Sequence, residues 1–191
     1  MNICVYAASS GCSSEAFTLL ARELGRTMAM RGHSLVNGAG RTGLMAAAAE
    51  GCMEAGGQAV GVIPRFMTEQ GWQHPSMTRL VVTAGMHERK ETMARMADAC
   101  IALPGGVGTL EELLEIITWK QLGLFLKPIV VLNAGGYYDP LLAQLDRAVD
   151  ERFMRPVHRD IWRVAATAGE AVRMAEETPL WDSSVRKFAA L

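Results

Sequence analysis

Short, wholly apolar runs alternate along this chain with stretches of helical periodicity, and that alternation leaves few folds open. Residues 2–7, 34–36, 59–63, 80–83, 99–103, 129–132 and 162–165 read as strands. Between them, helices are expected over about 14–31, from 43 to about 55, near 86–97, and over 109–121, 139–150 and 169–177. In the first of these Phe17, Leu20, Leu24 and Met28 recur at helical spacing, and Gly32 ends the run. Residues 64–77 read as a loop. Strands without a polar face belong in a parallel sheet covered on both sides, and a helix after each strand provides the crossovers. The expectation is an α/β fold, a doubly wound parallel sheet of Rossmann-like type in a single domain over 1–180, with 181–191 as a C-terminal tail. One core suffices for 191 residues of which 50% are hydrophobic.

Several classes are excluded at this stage. No apolar run approaches the roughly 18 residues of a membrane span, and residues 2–7 follow no basic region, so they read as a strand rather than a signal peptide. The net charge is −1 with no Lys/Arg stripe, which argues against nucleic acid or a membrane surface as partner. Four cysteines (4, 12, 52 and 100) form no CxxC pair, and His33, His74, His87 and His158 are scattered, so neither a metal site nor a disulfide is expected. Reduced thiols fit the cytosol. The twelve methionines read as core filler.

Three turns should leave the carboxyl ends of strands and face one crevice: 8–14, 38–43 and 104–109. In the last, a strand runs into Pro104-Gly105-Gly106-Val107-Gly108-Thr109 and then a helix. Glycines there let backbone N–H groups converge on an anion at the positive end of the helix, where a Cβ would block approach. Thr109-x-x-Glu112 also fits a capping box, with Thr109 as N-cap and Glu112 reaching back to its amide, and spacing alone leaves that open against a catalytic Glu112. Leu110, Leu113, Leu114 and Ile117 supply the buried stripe of this helix, with Glu111, Glu112 and Glu115 off it. Arg89 and Lys90 open the 86–97 helix, where cations oppose the macrodipole; either Glu88 and Glu91 compensate locally, or the two face a phosphate or a nearby carboxylate. Gly38-Ala39-Gly40-Arg41-Thr42-Gly43 satisfies GxGxxG, but it follows the second strand and no acidic residue ends the next one, so a turn hugging a ligand smaller than a dinucleotide suits it better.

Residues 104–112, Pro-Gly-Gly-Val-Gly-Thr-Leu-Glu-Glu, resemble the PGGxGTxxE signature of the LONELY GUY (LOG) family, phosphoribohydrolases of cytokinin riboside 5′-monophosphates and related nucleotides once labelled lysine decarboxylases. Met86-His87-Glu88-Arg89-Lys90 is similar to the family's MHxRK, Gly43-Leu44-Met45 to its GLM turn, and Gly136-Tyr137-Tyr138-Asp139-Pro140 also fits, so the likeness spans roughly 2–155. The resemblance implies a catalytic pair, Arg89 and Glu112. It implies a substrate site of Lys90, Gly105, Gly106, Val107, Gly108, Thr109, Leu110, Glu111 and Thr118, to which the other turns add Ser9, Gly40, Arg41, Thr42 and Met86. Where many members carry Glu in the loop before MHxRK, Gly71 stands here, with Glu69 two residues earlier; Ala39 and Ala46 replace usual glycines.

The expected activity is hydrolysis of the N-glycosidic bond of a nucleoside 5′-monophosphate, AMP or a cytokinin ribotide, without metal or cofactor. A homodimer is expected from the resemblance and from the apolar cluster Trp119, Leu122, Leu124 and Phe125. The alternatives are a non-catalytic nucleotide-binding module of the same fold and a pyridoxal-phosphate decarboxylase, for which Lys90, Lys120, Lys127 and Lys187 offer no recognisable context.

Overall fold

Apolar residues on both faces of a strand need cover on both faces, and the chain supplies it by sending successive helices to opposite sides of one sheet. The computed structural model describes residues 1–182 and 184. In chain order they form β1 (Asn2–Tyr6), α1 (Glu15–Met30), β2 (Ser34–Asn37), α2 (Gly43–Glu54), β3 (Ala59–Pro64), α3 (Arg65–Glu69) and β4 (Arg79–Thr83). There follow α4 (Met86–Met96), β5 (Ala99–Ala102), α5 (Val107–Gln121), β6 (Ile129–Leu132), α6 (Asp139–Asp150), β7 (Arg163–Ala165) and α7 (Ala168–Glu177). The seven strands pair in parallel in the order β4-β3-β2-β1-β5-β6-β7, the doubly wound arrangement expected from the sequence.

Alternation along β1 shows how the sheet is covered. Ile3 and Val5 pack with Leu24 and Met28 of α1 and Leu44 of α2. Cys4 and Tyr6 pack on the other face with Met93 of α4 and Leu113 and Ile117 of α5. The chain moves outward from β1 to β4 and then returns to β5 beside β1, so strand order reverses between β1 and β5. Loops at their carboxyl ends diverge there and open a crevice.

The 64–77 segment is not a plain loop: it contains α3, and short 3-10 turns also form at Ala134–Gly136 and Pro156–Ile161. Helix α5 begins at Val107 rather than 109, because extended Gly106 serves as its N-cap. Its buried face is Leu113, Ile116 and Ile117 together with Thr109, Glu112 and Lys120; Leu114, expected in the stripe, is exposed. At the expected tail, Trp181 packs against the α4/α5 side of the core and its backbone N–H donates to the Leu126 carbonyl at 2.7 Å. Residues 183 and 185–191 of that tail lie outside the described residues.

Candidate active site

Four loops, following β1, β2, β3 and β5, enclose a cavity of about 510 Å³ at the crevice. The Gly-rich turn after β5 supplies one wall. Tyr138 donates its hydroxyl to the Leu103 carbonyl at 2.6 Å and Tyr137 donates to Gly105 at 2.7 Å, so two aromatic rings brace the turn from behind. The three glycines serve different ends. A Cβ on Gly105 would overlap the Thr109 side chain, a requirement of packing. A Cβ on Gly106 or Gly108 would meet no protein atom within 4 Å, and both residues line the cavity. Packing does not call for glycine at these two positions, and a glycine in a helix costs up to about 1 kcal/mol relative to alanine. No side chain caps α5, an arrangement in which the leading amides of a helix can receive an anion.

Glu112 lies behind that wall. With Thr109 inside the helix, the capping box does not form; the Glu112 carboxylate instead accepts from Arg89 Nη1 at 2.8 Å, and both side chains are buried. Arg89 Nε donates to the Val62 carbonyl at 3.1 Å, which fixes the plane of the guanidinium. Glu88 accepts from the Ala84 amide, and the ion pair of Arg89 is with Glu112. Burial raises the Glu112 carboxyl above its ordinary value, and the opposing pull of Arg89 only partly offsets it. A buried carboxylate held this way retains proton affinity, which suits a group that must steer water or stabilise a cation.

The turn after β2 makes room for the pair. A Cβ on Gly38 would overlap the Arg89 guanidinium, so this glycine is where the arginine passes. Buried Asn37 shapes the turn, accepting from Ala39 N–H at 2.9 Å and donating to Met45 O at 3.0 Å. Gly43 begins α2 at φ +69, where a Cβ would overlap the backbone of residues 8–10, and Thr42 donates to Ser9 O at 2.6 Å. Ala39 also sits at positive φ (+60). Gly38→Ala is expected to displace Arg89 rather than unfold the chain. Activity should fall at least about tenfold with melting changed little, and a thermal scan beside an assay checks it.

Sequence comparison now places the chain. A family profile described as Possible lysine decarboxylase matches residues 45–175. Cytokinin riboside 5′-monophosphate phosphoribohydrolase LOG5 of Arabidopsis thaliana is 41% identical over 186 residues, 97% of this chain and 82% of that protein. The chain belongs to the LONELY GUY family. The enzyme of the same description named LOG in Oryza sativa subsp. japonica is 45% identical over 175 residues, 92% of this chain and 72% of that protein. Among solved structures, TM1055 shares the fold with a TM-score of 0.72 at 28% identity, covering 92% of this chain and 98% of that one.

Of the residues that the LONELY GUY signature marks, Arg89, Glu112, Gly106, Gly108, Thr109 and Glu111 line the cavity, as do Met86, Ser9, Gly40, Arg41 and Thr42. Gly105, Val107, Leu110, Lys90 and Thr118 do not. Gly105 is packed behind Thr109, Val107 is 83% exposed, and Leu110 packs on the core. Thr118 is exposed on the far part of α5 and donates to Leu114 O. Lys90 binds Glu111 and Glu115; burial pulls its ammonium down, but the two carboxylates outweigh that and hold it above its ordinary value. Sequence reasoning did not single out Gly38 within the 38–43 turn and missed Met45, Ile63, Met67 and Trp72, all of which line the cavity. For Trp72 a signal existed: a large aromatic in a polar segment, outside any periodic pattern.

Proposed function

We propose that this chain hydrolyses the N-glycosidic bond of nucleoside 5′-monophosphates, AMP or a cytokinin ribotide, to a free base and ribose 5-phosphate. The observation that carries this reading is the pairing, in one cavity, of a glycine-bared helix start with a buried, arginine-held carboxylate. The phosphate rests on the amides of Gly106, Gly108 and Thr109, with charge-assisted bonds worth about 1.5–3 kcal/mol each. Bond cleavage passes through an oxocarbenium-like state, and Glu112 supplies the negative charge beside the anomeric carbon and steers water to it. Arg89 fixes Glu112 and orients the sugar; the hydroxyl of the attacking water joins the anomeric carbon, and the proton that Glu112 takes from that water balances the one with which the base departs.

The relatives' names carry the same chemistry. The decarboxylase description of the family profile finds no support in the cavity: among the described residues no lysine lines it, Lys120 and Lys127 being bonded to backbone carbonyls elsewhere. Lys187 lies outside the described residues. Because the phosphate provides orientation, AMP should be hydrolysed at least about a hundredfold faster than adenosine in kcat/KM. Equal rates for the two would remove the anion site from the account.

The same reading extends to assembly and place. A homodimer is proposed on the two leucines left exposed after α5, Leu122 and the 62% exposed Leu124, whereas Phe125 is buried in its own core and Trp119 packs against it. Light scattering should give about twice the 20.7 kDa of one chain, and a monomeric mass at micromolar concentration would contradict it. Among the described residues no helix is long and apolar enough to cross a membrane. The free thiols of Cys4, Cys12, Cys52 and Cys100 suit a reducing cytoplasm, and the near-neutral charge suits a small-molecule substrate rather than nucleic acid or a membrane.

A further inference from the structure

The loop after β3 is the cavity wall that the phosphate and the carboxylate do not use, and its chemistry differs from the rest. Helix α3 ends in a left-handed Gly71 (φ +69), whose N–H donates to Thr68 O, while Trp72 N–H donates to Met67 O at 3.1 Å. The segment is then fastened to the 38–43 turn. Arg41 N–H donates to Trp72 O at 3.2 Å, Arg41 Nη1 to Gly71 O at 3.1 Å, and His74 N–H to Ala39 O at 2.8 Å, with an antiparallel bridge between Gly40 and Gln73. Backbone and neighbours thus hold Trp72 on the cavity while half of the residue, 50%, stays open to solvent. A free-standing indole costs hydrophobic free energy unless something covers it.

Of the other cavity residues, Ile63 near the end of β3, Met67 in α3 and Met86 at the start of α4 carry no side-chain N–H or O–H. The hydroxyls and charges of the cavity, including Arg41, whose Nη1 is bonded to Gly71 O, come from the other three loops and from α4 and α5. Gly71, beside Trp72 in the chain, carries no side chain that could bond a base edge.

We infer that Trp72 binds the base of the nucleotide by stacking on its face, and that the enzyme therefore selects bases weakly. This rests on the nucleotide reading of the site given above. Stacking is indifferent to which donors and acceptors rim a ring, and it is worth about 1–3 kcal/mol per base. A site that bonds a base edge rejects the wrong base by about 10⁴–10⁵-fold, whereas an apolar surface discriminates by only about 10–200-fold.

The test combines turnover with fluorescence. AMP, IMP and GMP should have kcat/KM values within about a hundredfold of one another. Trp72→Ala should raise KM for all three at least about tenfold with kcat within about threefold, and Trp72→Phe should restore most of the loss. Affinity for ribose 5-phosphate, which has no base, should be unchanged by either substitution. AMP should quench emission in the wild-type chain but not in Trp72→Phe, and ribose 5-phosphate should quench neither. A preference above about a thousandfold for one base would overturn the proposal, as would an equal loss of ribose 5-phosphate affinity in Trp72→Ala, which would make the residue a loop anchor. If no nucleotide is hydrolysed at all, the activity reading fails by itself. Base-dependent quenching through Trp72 then supports the stacking inference alone, and its absence overturns that too.

Discussion

Glu112→Gln is expected to lower AMP turnover at least about a hundredfold while nucleotide binding persists. The amide keeps an oxygen for Arg89 Nη1 but brings no charge to the oxocarbenium ion. Stability is the informative companion. Were Glu112 a partner of the Thr109 amide, Gln would serve as well and melting would move by less than about 1 kcal/mol. In the structure Glu112 faces buried Arg89, and removing one charge of a buried pair costs about 3–5 kcal/mol, reduced here by the retained hydrogen bond and by the relief of burying a carboxylate. Because burial outweighs Arg89 at this carboxyl, these two reliefs offset most of that cost and melting should change little, with AMP binding showing that the variant is folded. Glu111→Gln is the control: its exposed bond to Lys90 is backed by Glu115, so melting should change little and the rate should fall less than in Glu112→Gln.

The same carboxyl gives a pH signature. Its proton is held to higher pH in the folded chain than in the unfolded one, so its contribution to stability falls as pH rises through the window between the two values. Activity requires the carboxylate and rises through that window. The acid limb of kcat/KM should thus lie above the ordinary carboxylate range and disappear from the residual activity of Glu112→Gln.

Gly108→Val is expected to abolish nucleotide and ribose 5-phosphate binding in a chain that still folds. Gly108 lies in the first turn of α5 without a left-handed φ, and a Cβ there meets no protein atom within 4 Å. Folding therefore tolerates the substitution, while the branched side chain occupies the cavity where an anion would approach the amides. Losing two or three charge-assisted bonds at about 1.5–3 kcal/mol each corresponds to an affinity loss of at least a hundredfold. Calorimetry with ribose 5-phosphate reads it directly. Unchanged affinity would mean that the glycine is only structural, and that the phosphate lies elsewhere.

The sheet was legible because its signal is local: apolar runs such as Ile129–Leu132 cannot be other than buried, and glycines mark where helices end. The convergence of the 8–14, 38–43 and 104–109 turns on one crevice followed from parallel topology alone. What spacing left open was the partner of Glu112, since a capping box and a catalytic carboxylate share the sequence Thr-x-x-Glu. The choice was made by the start of α5 at Val107 and by an arginine 23 residues away in sequence. Gly38 was equally hidden, because the side chain that excludes a Cβ there belongs to α4. Met67 and Trp72 were missed because α3 is too short to leave a periodic trace, and its role depends on pairing with the turn at Gly40. Leu114 shows the converse, an apolar residue at a plausible helical position that faces outward.

The central claim is that the cavity cleaves a glycosidic bond rather than merely holding a nucleotide, and incubating AMP with the purified chain followed by chromatography of the products tests it most directly. Adenine and ribose 5-phosphate should appear in equal amounts, and Glu112→Gln should release at least about a hundredfold less. AMP that binds in the cavity yet is recovered intact, or that yields adenosine and phosphate, would contradict the account.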